Sequence, residues 1–243
     1  MTPRLLIDAG NTRAKWAVVS GEAWLTQGEA DYDDLSELSA HLAPNMRAYV
    51  ASVARAAQLD RVRAALASIR GIRWLESSAR FAEVENGYAA PTQLGVDRWM
   101  NLIGAWQRTH GATLVVSAGT ALTVDALDDA GRFIGGLIVP GRELMRAALR
   151  QGTARVDAPA GVCRDFPTDT ADAVESGITA ALCGAVQAQY ARLAARCTGN
   201  APRCLVTGGD AARLLPHLRF PAERVPALTL EGMARVSREA DEA

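Results

Sequence analysis

Short apolar runs closed by glycine or asparagine turns alternate with longer stretches of helical period along this chain. Arg4 to Asp8 reads as a short buried strand closed by Gly10-Asn11. A second strand over Arg13 to Val19, a Ser20-Gly21 turn and a third strand near Ala23 to Thr26 predict a β-meander. An acidic helix over Asp33 to Leu42, a strand at Arg47 to Val53, a helix from Ala54 to about Ile69 and a strand at Ile72 to Leu75 follow. Val96, Trp99, Met100, Ile103 and Trp106 then recur at i, i+3, i+4 and i+7 spacing. That period predicts an amphipathic helix ending near His110, with Asp97, Arg98 and Asn101 on its opposite, polar face.

The opening then repeats. Leu6-Ile7-Asp8-Ala9-Gly10-Asn11-Thr12 is echoed by Val115-Val116-Ser117-Ala118-Gly119-Thr120, and each copy leads into a strand, a glycine turn (Gly21; Gly131) and a third strand, Phe133 to Val139 in the second copy. Helices at Arg142 to Arg150 and about Ala171 to Arg196, a strand at Cys204 to Thr207 and a Gly208-Gly209 turn into a short helix complete the second copy. Four matched residues recur by chance easily; a shared order of strands does so less readily. The pattern predicts an α/β protein of two related domains, 1–110 and 111–243, parted near Gly111 and offering their strand-turns to one cleft. Ser237 to Ala243 reads as a solvated, frayed tail.

Composition narrows the function classes. With 26 basic against 27 acidic residues the net charge is −1, without the basic surplus that nucleic-acid binding requires. The apolar runs are far shorter than a membrane span, and Asp8 interrupts the N-terminal run too early for a signal-peptide core; a soluble cytoplasmic protein is expected. Cys163, Cys183, Cys197 and Cys204 form no C-x-x-C pair and read as free thiols, while His41, His110 and His217 are scattered and read as ordinary side chains.

Two segments carry candidate chemistry. Asp8-Ala9-Gly10-Asn11-Thr12-Arg13-Ala14-Lys15 places an acid at a strand end, then a glycine whose freedom to take positive φ would aim successive N–H groups at an anion. Asp8 suits Mg²⁺, held largely through water beside phosphate oxygens. Lys15 is the chain's one lysine among 26 basic residues, a compact charge suited to a phosphate; chance would put it in this window about one time in thirty. The same residues would also make an ordinary hairpin with a surface lysine. In Gly95-Val96-Asp97-Arg98, Asp97 opens the amphipathic helix. It reads either as an acid favoured there by the dipole or as a base for a substrate hydroxyl, with Arg98 holding an anionic substrate group. The helix terminus should keep Asp97 ionised and weakly basic.

Asp8-Ala9-Gly10-Asn11-Thr12, Gly95-Val96-Asp97-Arg98, Ala118-Gly119-Thr120, Gly135-Gly136 with Pro140-Gly141, and Thr207-Gly208-Gly209, in that order over nearly the whole chain, resemble the type III pantothenate kinases. Those are members of the actin-like/sugar-kinase superfamily of duplicated ribonuclease-H-like domains with an interdomain cleft. The resemblance implies ATP-dependent phosphorylation of pantothenate at its primary hydroxyl, the first step toward coenzyme A. It further implies that Asp8, Ala9, Gly10, Asn11, Thr12, Arg13, Ala14, Lys15 and Thr120 bind ATP with Mg²⁺ at Asp8, and that Asp97 accepts the proton. Tyr88, Gly95, Val96, Asp97, Arg98 and Thr170 would contact pantothenate; Tyr88 would equally suit packing, and Thr170 an N-cap of the long helix. Gly208-Gly209 resembles the superfamily's adenosine-side turn, and family members are homodimers. The family's aspartate ligand for a monovalent cation, K⁺ or NH₄⁺, is replaced by Ser117, which puts that site in doubt and leaves Asp125 as a neighbouring acid. Other kinases of the superfamily and non-catalytic nucleotide-binding regulators are the competing readings.

Overall fold

The structure is a computed structural model that describes residues 2–43, 45–153 and 159–242. It divides into two compact units, Met1–Arg108 with Ala227–Ala243, and Thr109–Pro226.

The first unit opens with β1 (Arg4–Ala9), β2 (Arg13–Ser20) and β3 (Ala23–Asp31), an antiparallel meander. After α1 (Ser36–Ala40), β4 (Arg47–Ser52) returns parallel to β1, and α2 (Ala56–Ala65) crosses over to β5 (Gly71–Trp74), parallel to β4. The sheet order is β3-β2-β1-β4-β5. A hairpin of β6 (Arg80–Phe81) and β7 (Val84–Asn86) precedes α3 (Val96–Thr109). Leu5, Ile7, Ala9, Trp16, Val18 and Val50 pack with Leu38, Val62 and Leu66 as one core. Leu6 and Ala17 are fully buried as well, so the central strands are covered on both faces and read as continuous apolar runs.

In the second unit β8 (Thr113–Ala118), β9 (Ala121–Leu127) and β10 (Arg132–Pro140) form the same antiparallel meander. Helices α4 (Arg142–Gly152) and α5 (Thr170–Ala194) lead to β11 (Arg203–Thr207), parallel to β8. Then α6 (Ala211–Leu214) leads to β12 (Glu223–Arg224), parallel to β11. The order β10-β9-β8-β11-β12 repeats that of the first unit strand for strand. Leu114, Val116, Leu122 and Val124 pack against Ile178, Leu182 and Val186 of α5.

Three expectations change. β3 runs to Asp31 instead of stopping at Thr26, because Gly28 is a close approach and not a break: a Cβ there would lie 2.7 Å from the Trp16 indole. The helix expected over Asp33 to Leu42 shrinks to α1; Asp34 Oδ1 accepts the Ser36 N–H at 3.0 Å and holds the preceding residues in a turn. The tail from Ser237 is no solvated end. It is the last part of α7 (Leu228–Glu242), Ser237 is fully buried with its hydroxyl donating to the Ala234 carbonyl at 3.1 Å, and Ala243 lies outside the described residues. This helix packs within the first unit, so the expected second span, 111–243, ends in an element of the first. Glycines bring it there: a Cβ on Gly232 would lie 1.9 Å from the Met100 carbonyl oxygen of α3, and one on Gly104 would lie 2.7 Å from that of Leu228.

Candidate active site

The phosphate turn is the tip of the β1–β2 hairpin, where Asp8 pairs with Lys15 and Ala9 with Ala14. Gly10 does not adopt positive φ. Its N–H donates to the Arg13 carbonyl at 3.2 Å, and the Tyr32 hydroxyl donates to the Gly10 carbonyl at 2.5 Å. The turn is therefore held by its own bonds and by Tyr32, and an anion there would meet Asn11 and Thr12, which are exposed. Arg13 points to the β3 edge, 3.1 Å from Asp31 and 3.7 Å from Glu29. Lys15 is partly buried and stands 3.8 Å from Glu29, yet its charge also acts on Asp8.

Asp8 is the most perturbed acid of this hairpin. Burial, then the negative charge of Asp97, push it up to about 6, against the opposing pull of Lys15 and a hydrogen bond from Thr229. Burial and the Asp8 charge likewise push the Tyr32 phenol up to about 12. An acid held above its ordinary range beside a second acid is a place that a cation stabilises, and one carboxylate with phosphate oxygens and water is the donor set Mg²⁺ takes. The residues present fit that ion.

Helix α3 supplies the other half of the cluster. Asp97 Oδ1 accepts the Arg98 N–H at 2.8 Å, which leaves Oδ2 free of that bond. The expectation that the helix terminus keeps Asp97 weakly basic does not hold: burial raises it, outweighing that N–H and the Arg98 charge. Nor is the polar face of α3 solvated. Arg98 and Asn101 are 4% and 3% exposed, because α7 and the segment bearing Tyr88 cover them. Arg98 Nη1 donates to the Tyr88 hydroxyl at 3.0 Å, with the guanidinium 5.6 Å from the centre of the Tyr88 ring. Asn86 builds that loop, donating to the carbonyls of Ser78 and Pro91 at 3.1 Å and accepting the Tyr88 N–H at 3.1 Å. Tyr88 is thus tied to Arg98 as well as packed.

The first unit therefore gathers Asp8, Lys15, Tyr88, Gly95, Val96, Asp97 and Arg98, and adds two residues that sequence reasoning did not select, Asn101 and Thr229. Thr229 had a faint signal. Leu228, Gly232 and Met233 sit at helical spacing, but a glycine within a short terminal segment reads as a break.

In the second unit Ala118-Gly119-Thr120 turns from β8 into β9, with Thr120 exposed. The Gly141 N–H donates to the Thr120 carbonyl at 3.0 Å, and the Asp210 N–H to that of Ala118 at 3.0 Å. Gly208 has φ +93, and a Cβ there would lie 2.2 Å from the Ala118 oxygen. The Pro140-Gly141 and Gly208-Gly209 motifs thus both serve the second turn. Ser117 lies between Thr123 and Thr207 in register, with Asp125 buried two residues along β9. Thr170 is the first residue of α5 and not its cap; Asp169 takes that place, accepting the Asp172 N–H at 3.0 Å. The four cysteines are free thiols.

The family model of type III pantothenate kinases matches residues 4–192. A type III pantothenate kinase of Thiobacillus denitrificans is 54% identical over 237 residues, covering 97% of this chain and 96% of its own. A Campylobacter jejuni protein described as a Baf family transcriptional activator superposes with TM-score 0.64 at 19% identity, over 98% of this chain and 100% of that one. MreB 5 of Spiroplasma citri does so with TM-score 0.53 at 8% identity, over 100% and 98%. The two structures speak to the fold alone, that of the actin-like ATPases. The near full-length identity reaches further: the chain belongs to the type III pantothenate kinase family.

Proposed function

We propose that this protein transfers the γ-phosphoryl group of ATP to the primary hydroxyl of pantothenate, giving 4'-phosphopantothenate, the first step of coenzyme A synthesis. One observation supports the residue roles: two half-buried, upward-shifted acids stand in the first unit with a lysine and a buried arginine. Asp97 takes the hydroxyl proton on the oxygen that the Arg98 N–H leaves free. Burial makes Asp97 more basic than an ordinary carboxylate, the direction a proton acceptor needs. Arg98, fixed by Tyr88, binds the pantothenate carboxylate; Gly95 and Val96 set the start of the helix that presents both. Asp8 would hold Mg²⁺, which when bound spreads positive charge over the β- and γ-phosphates. Lys15, the turn residues from Ala9 to Ala14 and Thr120 bind those phosphates, and Thr170 contacts pantothenate.

Phosphoryl transfer depends chiefly on positioning and charge, which is what this cluster supplies. We further propose a cytoplasmic homodimer; among the described residues no helix is long and apolar enough to cross a membrane.

The test is coupled-enzyme turnover on a panel of pantothenate, sugars and acetate, with Asp97→Asn as control. Pantothenate is the expected substrate, and Asp97→Asn should lower turnover about 10²–10⁴-fold while nucleotide binding persists. Preference for a sugar or acetate, nucleotide binding without turnover of any of them, or a fully active Asp97→Asn would overturn the assignment.

A further inference from the structure

The roles above leave Asn86 unused, although it is 6% exposed and stands two residues before Tyr88. Polar groups at that depth persist with partners, and this amide has three. Nδ2 donates to the carbonyls of Ser78 and Pro91, and Oδ1 accepts the Tyr88 N–H, each at 3.1 Å. Two carbonyls and one N–H admit a single orientation of the amide, since turning it would set its oxygen against both carbonyls. One side chain thus joins the segment entering the loop, the residue that carries the ring, and the segment leaving for α3.

The loop is fastened elsewhere as well. The Ser77 hydroxyl donates to the Leu94 carbonyl at 2.7 Å and shuts the neck, one residue before Gly95. Across the β6–β7 hairpin Arg80 meets Glu85 at 3.0 Å, and Trp106 Nε1 of α3 donates to Glu83 at 3.0 Å. What Asn86 adds is the stretch between, where Tyr88 meets Arg98. A guanidinium only donates, so Arg98 Nη1 gives its proton to the Tyr88 oxygen at 3.0 Å. The ring also lies within cation–π reach, its centre 5.6 Å from the guanidinium carbon. An arginine has many rotamers, and these two contacts select among them.

We propose that Asn86 is a positioning residue for the substrate: it fixes Tyr88, and Tyr88 aims the Arg98 guanidinium at the pantothenate carboxylate. The inference rests on Arg98 binding that carboxylate. Without the amide, Arg98 would keep its charge but point in several directions, only some of which present two N–H groups to a carboxylate. Capture of pantothenate should suffer, while the nucleotide side and the chemical step should not.

The experiment uses the full chain as Asn86→Ala, Asn86→Ser, Tyr88→Ala, Arg98→Ala and the double variant Asn86→Ala with Tyr88→Ala. It reads kcat, KM for pantothenate, KM for ATP and the melting temperature. Asn86→Ala and Tyr88→Ala should each raise KM for pantothenate about 10–100-fold, the range of one hydrogen bond to a charged group. In both, kcat and KM for ATP should stay within about twofold of wild type. Asn86→Ser, whose hydroxyl can still accept the Tyr88 N–H, should lose less. In the double variant the Asn86 change should add less than about twofold to the Tyr88 loss, because Asn86 acts through Tyr88. Losses that multiply in the double variant would overturn the proposal, as would equal losses in kcat and both KM values, which packing alone would produce. So would failure of both Asn86 variants to fold, which would make the amide a structural element only. If wild type does not turn over pantothenate, or Arg98→Ala keeps its KM, the reading beneath the proposal fails. If Arg98→Ala raises that KM and the Asn86 variants do not, the Asn86 inference fails alone.

Discussion

Asp8 titrates near 3.8 in an unfolded chain and near 6 in its folded setting. Between those values the folded state binds the extra proton, so stability falls as pH rises through the window; the penalty is absent below it and complete above it. At full strength it is worth about 3 kcal/mol, an upper figure for a partly accessible group. Asp8→Asn should therefore melt above wild type at pH 7.5 without nucleotide, and the gap should close near pH 4. A gap that ignores pH, or a variant that melts lower, would show that Asp8 is not strained by its charge. Ser117 invites a second test. A carboxylate about 4 Å from a monovalent cation contributes roughly 4 kcal/mol of gross attraction at an effective dielectric near 20, and the hydroxyls of Ser117, Thr123 and Thr207 bring no such charge. Turnover should respond weakly when KCl replaces NaCl at constant ionic strength, and Ser117→Asp should introduce the response. Strong saturable activation of wild type by K⁺ would refute this. The acid–glycine turn and Asp97-Arg98 were legible from residue type and spacing. The upward shift of Asp97 and the burial of Asn101 were not, because both depend on what other elements lay over α3.

Helices α4 and α5 are joined by charge. Glu175 of α5 receives Arg142 and, at 2.6 Å, Arg146 Nη2; all three side chains are 14% exposed or less. Arg142 also reaches Thr179 at 3.4 Å, and both arginine Nε atoms lack a partner. The carboxylate is thus the main compensation for two buried cations. Removing one member of such a group strands the others, so Glu175→Ala should destabilise by about 3–5 kcal/mol in urea unfolding, and Glu175→Gln by less. A loss under about 1 kcal/mol would mean that water reaches the arginines when the acid is gone. Arg142 follows Gly141, whose N–H holds Thr120, so the same variants test whether the second phosphate turn leans on this pair. Elements with a clean period, such as α3, and strands closed by turn residues were readable in advance. The strand β3 was read short and α7 was missed, and each holds a glycine that admits a neighbour: Gly28 the Trp16 ring, Gly232 the α3 backbone. Close approach across the fold has no local signature.

The duplication suggested by Asp8-Ala9-Gly10 and Ser117-Ala118-Gly119 extends to the five-strand orders β3-β2-β1-β4-β5 and β10-β9-β8-β11-β12, yet the units differ in how completely they cover themselves. The first spends α7 on a face of its sheet, with Leu228 and Met233 fully buried. In the second, α4 and α5 frame a groove of about 880 Å³ lined by Pro140, Met145, Leu149, Val174 and Ile178, with Thr170 at its edge. The same unit exposes further apolar side chains, Leu144 at 46%, Val162 at 60%, Ile138 at 62% and Phe166 at 91%. An apolar groove and several exposed apolar side chains on one unit are the kind of surface that takes a docking partner. A second copy of the chain is the occupant we expect, in an interface of the standard size, roughly 1,200–2,000 Å². Light scattering after size exclusion should then give twice the monomer mass. Phe166→Asp, which touches no core position, should weaken the association and leave the fold's circular dichroism unchanged. If Thr170 works in the assembled form, the diluted variant should also show a raised KM for pantothenate, recovered at high protein concentration. A wild-type chain that runs as a monomer at about the concentrations used for such measurements would remove the dimer and leave the groove to a different partner.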